Sequence, residues 1–371
     1  MSEPTTTIAV LAEREPRERR AAMVPSDVHL LKSKARFIVE RGAGATAGFS
    51  DQAYVDAGAE IVDLTAVFAK ADVVLAVRPA HDSAALHPGT VLISLAGRNS
   101  DMASEFEARG IVHLALERMP RITRAQSMDV LSSQASVAGY AAVMQAACML
   151  DVILPMMTAA AGTIKPAKMI ALGAGVAGLQ AIATARRLGA VVYGFDVRGA
   201  AREQVESLSA KFVFPEIKLS SAEGAGGYAS DQSENEQAAL RDALSPILSG
   251  MQIVVTSAQI PGRPAPLLID DATIASMGSG TVIIDLAAES GGNTSRTVAD
   301  EIVVVGGVQI AGPTNLPSLV ATDASRLFSG NVRALLDHLI DSEAGLRLRP
   351  DDEVTNALLG VRAAALASAA A

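Results

Sequence analysis

Apolar residues recur along this chain in short runs, each closed by glycine, proline or a charged residue. In the first third these runs are Ile8–Leu11, Ala35–Glu40, Glu60–Val62, Val73–Val77, Val91–Leu95 and Ile111–Ala115. They are too short for helices and alternate little, the pattern of strands buried on both faces. Between them lie stretches with helical spacing: one that Ser26-Asp27 can cap and that runs to about Lys34, then Ser50–Ala57 and Leu64–Lys70. Strand and helix alternating at this scale predict a parallel sheet, of flavodoxin-like or Rossmann-like type. The glycine-rich Arg41–Gly48 has no helix behind it and reads as a loop.

The rhythm pauses at a long helical stretch, Ala135–Leu154, which Pro155 should kink or end. It resumes with an apolar strand, Met169–Leu172, then Gly173-x-Gly175-x-x-Gly178, a helix to about Leu188, and a second strand, Ala190–Phe195, ending on Asp196. Strand, glycine turn, helix, strand and terminal acid together form the dinucleotide-binding context. Gly173 permits the tight turn, Gly175 lets a pyrophosphate approach the backbone, and Gly178 lets the helix lie close on the strand. Ala174, Val176 and Ala177 complete the turn, whose free N–H groups and positive helix end face the phosphates. Asp196, 18 residues beyond Gly178, is placed to accept from both ribose hydroxyls and to disfavour a 2′-phosphate. The cofactor expected is therefore NAD(H), with Val197 and Arg198 beside the acid.

Three further features belong to this second α/β domain. Leu219–Asp231 breaks the rhythm with small residues; Gly227 and Tyr228 on it suit either a mobile excursion that dips over a ligand or an ordinary surface loop. Ile253–Thr256, Val282–Leu286 and Ile302–Val305 read as strands, Val308–Ile310 as a possible further one. Ligands in such sheets meet the carboxyl ends of strands, so the loops at 257–263, with Gln259, and 285–293 should edge the nicotinamide half. A helix over Leu319–Leu339 should return to the first domain. The division expected is 1–134 plus 314–371, and 135–313. The end of the chain, Arg347–Ala371, reads as a terminal helix or a frayed end.

Composition narrows the function. The chain has 371 residues, half of them hydrophobic but without Trp, and a net charge of −9. A second core is needed at this length, and the negative balance argues against nucleic acid as a partner. A lone cysteine, Cys148, excludes a disulfide framework, and its apolar helical context suggests a buried structural thiol. Five scattered histidines give no metal-ligand spacing, and His81, His87 and His113 are expected at the surface or at helix ends. No uninterrupted apolar run reaches the roughly 18 residues of a membrane span. The expectation is a soluble, cytoplasmic protein that does not itself span a membrane and holds no metal.

The polar loop Arg121-Ile-Thr-Arg-Ala-Gln126-Ser-Met-Asp129-Val-Leu-Ser132 resembles the Arg-Gln-Asp loop of the NAD(H)-binding component of proton-translocating nicotinamide nucleotide transhydrogenase. So do the Gly173 turn, Asp196-Val-Arg198, Gly226-Gly-Tyr228, Ile260–Pro266 and Ile284–Asn293; the likeness runs from about Ile8 to about Leu339. Alanine dehydrogenase, a relative of the same two-domain fold, is matched more weakly. The resemblance implies a homodimer that binds NADH and presents its ring to NADP+ on a separate NADP(H)-binding subunit, while a membrane subunit couples hydride transfer to proton flow. It would lie in the cytoplasm, peripheral to the inner membrane through those partners. It also places Arg121, Gln126, Asp129 and Ser132 at the nicotinamide end, Tyr228 on a mobile loop, and Asp196 and Arg198 at the adenosine end.

Hydride transfer of this kind asks for placement and exclusion of water rather than a protein nucleophile, and hydrogen-bonding side chains such as these suit it. The rival reading is an amino-acid dehydrogenase. Arg20 falls where that enzyme binds a carboxylate, but Arg78 stands at its lysine position, Gly97 at its histidine position and Glu289 at its aspartate position. Arg stays protonated, so no group titrating near neutrality is in place. A third reading, a binding module that senses NAD(H) without chemistry, would keep the glycine turn and Asp196.

Overall fold

The structure is a computed structural model that describes residues 5–79, 85–96, 105–215, 233–260, 263–341 and 345–359. It divides into two compact units, Met1–Gln134 with Pro317–Ala371, and Ala135–Leu316. Each is built on its own twisted sheet.

In the first unit the strands are β1 (Thr7–Val10), β2 (Arg36–Glu40), β3 (Glu60–Val62), β4 (Val73–Leu75), β5 (Val91–Ser94) and β6 (Val112–Ala115). Their order is β3-β2-β1-β4-β5-β6 and every pairing is parallel. That is the doubly wound order of a Rossmann sheet rather than the flavodoxin order. The uninterrupted apolar runs have the cause inferred from them. Ile8 and Val10 point into one core and Ala9 and Leu11 into the other, so neither face of the strand meets water.

In the second unit a small antiparallel hairpin, β7 (Met157–Ala159) and β8 (Gly162–Ile164), precedes the main sheet. Its main sheet holds β9 (Lys168–Leu172), β10 (Val191–Phe195), β11 (Lys211–Phe212), β12 (Ile253–Thr256), β13 (Val282–Asp285), β14 (Ile302–Val305) and β15 (Val308–Ala311). The order is β11-β10-β9-β12-β13-β15-β14, again Rossmann among its parallel strands. Met169 and Ala171 pack into one core, Ile170 and Leu172 into the other. The edge strand β14 runs antiparallel to β15. Its exposed Ile302 and Val304 explain why an apolar run of strand length sits at an edge without being buried.

Several expectations change. The long helix covers Val130–Met149, not Ala135–Leu154; Asp129 supplies a start signal six residues upstream of Ala135, and the helix ends before Pro155 is reached. The helix after β1 spans Pro25–Leu31. Pro25 stands in its first turn and Val24 at its N-cap, so Ser26-Asp27 are inside the helix rather than capping it. Asp27 instead accepts from Ser329 Oγ and Arg333 Nε. Cys148 is exposed, not a buried thiol. His113 lies within β6 rather than at a surface or helix end, bonded through Nε2 to Ser94 Oγ at 3.0 Å. Burial pushes it down to about 4, and the Arg118 charge adds to this. The hairpin β7–β8 and the two-residue β11 carry too few positions for any periodicity to announce them. The stretch at 353–359 is helical; the rest of the expected tail, 360–371, lies outside the described residues.

Candidate functional site

The clearest site is at the carboxyl end of the second sheet, between β9 and β12, where the chain order reverses. The chain leaves β9 through Gly173, whose φ of +101° is left-handed. A Cβ there would lie 2.8 Å from Ser257 Oγ, so both conformation and space demand glycine. Gly175 is the N-cap of the helix Val176–Arg187 and brings no side-chain cap to it. A Cβ on Gly175 would meet nothing within 4 Å. Gly178 is the reverse: its Cβ would sit 1.8 Å from the Gly173 carbonyl oxygen. The helix therefore starts directly against the turn. Its first N–H groups and positive dipole end face open space beside Gly175, and Arg186 and Arg187 balance the dipole at the far end. Gly175 and Val176 are exposed; Ala174 is buried, with Ala177 between these extremes.

Asp196, one residue past β10, is 6 % exposed. One oxygen, Oδ2, accepts from Ala174 N at 2.8 Å and from Arg198 Nη2 at 2.8 Å. The other, Oδ1, accepts from Arg198 N at 2.9 Å and Nε at 2.8 Å. The acid expected to receive ribose hydroxyls is thus already engaged by its own chain, a feature no spacing rule reveals. Val197 packs against the core that holds Phe195.

On the other side of the switch point the loop after β12 is held by residues that sequence reasoning misses. Ser257 Oγ donates to the Gly173 carbonyl at 3.2 Å. Asn293 grips the same loop at both ends: its Oδ1 accepts from Ala258 N, and its Nδ2 donates to Ala258 O and Pro266 O. Asp285, fully buried at the end of β13, accepts from Thr256 Oγ1, Ala287 N, Asn293 N and Thr297 Oγ1. Gln259 rides on this braced loop, exposed, with Nε2 donating to Leu286 O. Gly139 also escapes a reading of the sequence; a Cβ on it would lie 2.1 Å from the Ala177 carbonyl, so the long helix presses on the start of the nucleotide helix. The one signal is the Asp285–Asn293 block, which in the sequence reads only as a loop edge.

In the first unit, Thr123–Met128 forms a 3₁₀ helix with Asp129 closing it. Asp129 then starts the long helix: Ser132 N and Oγ donate to its carboxylate at 3.1 and 2.6 Å. This is N-cap geometry, so these two expected site residues are brought together by a structural bond. Arg121 and Gln126 are exposed on the same loop. Gly227 and Tyr228 lie outside the described residues, as do Gly97 and His81.

Arg20 is 2 % exposed and paired through Nε and Nη2 with both oxygens of Glu18, at 2.8 and 2.6 Å, while Nη1 donates to Gln134 Oε1. Burial alone would raise the Glu18 carboxyl, but Arg20's hydrogen bonds and charge bring it down to about 2. Nearby, Glu13 accepts from Val77 N and Arg78 N. Burial outweighs those bonds and pushes it up to about 8. Among the described residues no group of His, Cys, Asp and Glu is placed to hold a metal ion, and no helix is long and apolar enough to cross a membrane.

Residues 9–138 match the alanine dehydrogenase/PNT N-terminal domain and residues 142–368 the corresponding C-terminal domain. The chain belongs to the alanine dehydrogenase/PNT family. NAD(H) is the cofactor of this family. Within it the chain is 44% identical over 362 residues to the first segment of NAD(P) transhydrogenase subunit alpha of Rhodospirillum rubrum, covering 94% of each. A crystal structure of transhydrogenase from Sinorhizobium meliloti superposes with a TM-score of 0.84 at 41% identity, over 95% of this chain and 97% of that one. Alanine dehydrogenase of Halomonas elongata is further off, 27% identical over 93% of this chain and 90% of its own. The family membership is thus on the transhydrogenase side, as a subunit alpha component.

Proposed function

We propose that this chain is the NAD(H)-binding component of a proton-translocating transhydrogenase and takes part in direct hydride transfer from NADH to NADP+ on a partner subunit. The observation that carries this is the glycine turn at the switch point of the second sheet, in a chain whose relatives across nearly its full length are transhydrogenase alpha subunits. The residues fit the cofactor. Open space at Gly175 and an uncapped helix start suit a pyrophosphate, and Asp196 at the end of β10 suits the adenosine ribose.

When bound, the cofactor's reduced nicotinamide supplies the hydride; the chain contributes placement. Gly173–Gly178 fix the pyrophosphate, Asp196 takes the adenosine ribose with Arg198 at its side, and Gln259 stands on the braced loop on the nicotinamide side. Arg121, Gln126, Asp129 and Ser132, on the motif match, orient the carboxamide, and the same match assigns Tyr228 to that end. The Asp129–Ser132 bond supports this by fixing one pair of polar groups at a helix start. The partners are a second copy of the chain, an NADP(H)-binding subunit and a membrane subunit that carries protons. The chain then works in the cytoplasm, peripheral at the inner membrane.

The amino-acid dehydrogenase reading is disfavoured by chemistry. Arg78 replaces the lysine of that enzyme, and Arg20 closes its fork on Glu18. The test is reconstitution with the NADP(H)-binding and membrane components, using NADH and a thio-nicotinamide analogue of NADP+. Transfer is expected only when the NADP(H)-binding component is present. An isolated protein that binds NADH but gives no transfer in that mixture, or that consumes NADH with pyruvate and ammonia, overturns the proposal.

A further inference from the structure

The Asp196–Arg198 pair carries an inference that rests on the NAD(H) reading and deepens it. We propose that Arg198 is a latent 2′-phosphate receptor that Asp196 holds shut, so that the choice of NAD(H) over NADP(H) is set by the pair and not by the carboxylate alone.

A carboxylate offers about four acceptor positions, and four donors reach Asp196: Ala174 N, Arg198 N, Arg198 Nε and Arg198 Nη2. The two backbone donors are fixed by the turn after β9 and by the chain leaving β10. The guanidinium is the group that can yield, since it hangs on a flexible stem and its side chain is 22% exposed. A ribose diol that reaches Asp196 therefore has to take over the positions of Nε or Nη2. Binding of NAD(H) and release of Arg198 are two sides of one exchange.

A 2′-phosphate finds the opposite situation. It offers no hydrogen to Asp196 and meets a negative charge, while the guanidinium beside it is held bidentate and neutralised. Arg is the side chain whose planar fork matches phosphate, and Arg198 stands where an arginine accommodates that group in NADP(H)-binding sheets. Arg202, one turn on, is committed elsewhere: it pairs with Glu206 at 3.5 Å and stacks over the Phe212 ring at 4.8 Å. The residues flanking the acid in the chain, Phe195 and Val197, are apolar; Phe195 belongs to the core and Val197 packs against it.

The test compares the full-length protein with Asp196→Asn, Arg198→Ala and the double variant. NADH and NADPH are titrated by nicotinamide fluorescence at low and high salt. Asn keeps an acceptor for Ala174 N, so the turn retains its bond. Asp196→Asn should lose NADH affinity and gain NADPH affinity by about 10- to 100-fold each, the range for one or two charge-assisted hydrogen bonds. The gain should weaken with salt. The double variant should lose it. Arg198→Ala, which also serves if the Asn variant misfolds, should tighten NADH by about 2- to 10-fold, because the diol no longer displaces a guanidinium, and should still reject NADPH. The proposal is overturned if Asp196→Asn gains nothing for NADPH, if the double variant binds NADPH as the single one does, or if Arg198→Ala weakens NADH. A wild-type protein that binds no NADH would instead overturn the nucleotide reading itself.

Discussion

Gly175 separates the geometry of a nucleotide site from that of a mere scaffold. A methyl added there meets nothing within 4 Å. The backbone, with φ of −79° and an extended ψ of −170°, is open to any residue. Gly175→Ala should therefore leave the fold as it is, with a change in stability inside about 0.5 kcal/mol. The same methyl stands in the space assigned to the pyrophosphate. Overpacking a close contact costs about 1–3 kcal/mol, which is about 5- to 150-fold in NADH affinity. Gly178→Ala is the control. Its Cβ would be 1.8 Å from the Gly173 carbonyl oxygen, so the helix must retreat by about 1.5 Å to restore a carbon–oxygen contact near 3.3 Å. That variant should lose stability and affinity together. Thermal unfolding and NADH titration of both variants decide the matter. If Gly175→Ala bound NADH as tightly as wild type while staying folded, the open space would not be where the phosphates sit.

Other outcomes follow from the same packing. Asp285→Asn puts an amide N–H₂ among four donors, and should destabilise the second unit by about 1–3 kcal/mol in urea unfolding; an unchanged midpoint would refute its bracing role. Asn293→Ala should speed amide hydrogen exchange at Ala258 and lower NADH affinity, without touching hydrogen exchange in β1–β6. Glu13, raised from 4.5 to about 8, stabilises the fold fully below its unfolded value and loses that contribution as pH rises through 8. Glu13→Gln should therefore gain on wild type between pH 5 and 8, and a constant difference would refute the shift. His113 has the opposite sign: lowered from 6.5 to about 4, it supports the fold above 6.5 and withdraws that support as pH falls to 4, so His113→Gln should flatten acid unfolding in that window.

The chain makes legible whatever is periodic or conformationally forced. The short apolar runs are strands because both of their faces are covered. The glycine turn is readable because Gly173 needs a left-handed φ and Gly178 cannot carry a Cβ at all. Contacts between residues distant in sequence are not legible. Asn293 reaches back 35 residues to Ala258, and Gly139 meets Ala177 across two elements. Nothing local distinguishes either from an ordinary loop asparagine or a helix glycine. The helix start at Val130 is hidden in the sequence because Asp129 has two possible uses, orienting a ligand or capping a helix. In the structure its carboxylate is the cap. The exposure of Cys148 shows the same limit: a helix apolar all round tells that most faces are covered, not which one is not.

The two sheets also show why topology alone does not make a site. Both have the Rossmann order, and both end their second strand near an acid that binds the loop after the first. In one, Ala12 N donates to Glu40 at 2.8 Å and Arg14 pairs with the same carboxylate; in the other, Ala174 N donates to Asp196 at 2.8 Å and Arg198 pairs with it. They differ just beyond the first strand. After β9 come Gly173, Gly175 and Gly178, and a helix begins at once, offering bare N–H groups at the switch point. After β1 comes Ala12-Glu13-Arg14, and no helix begins until Pro25. There Glu13 crosses the gap and takes the Val77 and Arg78 N–H groups itself. The first switch point is satisfied by the chain's own carboxyl group, and the second is left for an anion that a ligand brings. Glu13→Gln should therefore not confer NADH binding on the first sheet, because without the glycine turn there is no helix end to receive the phosphates. Equilibrium titration of that variant with NADH should give the same number of sites as wild type, and a second, saturable site would refute the distinction.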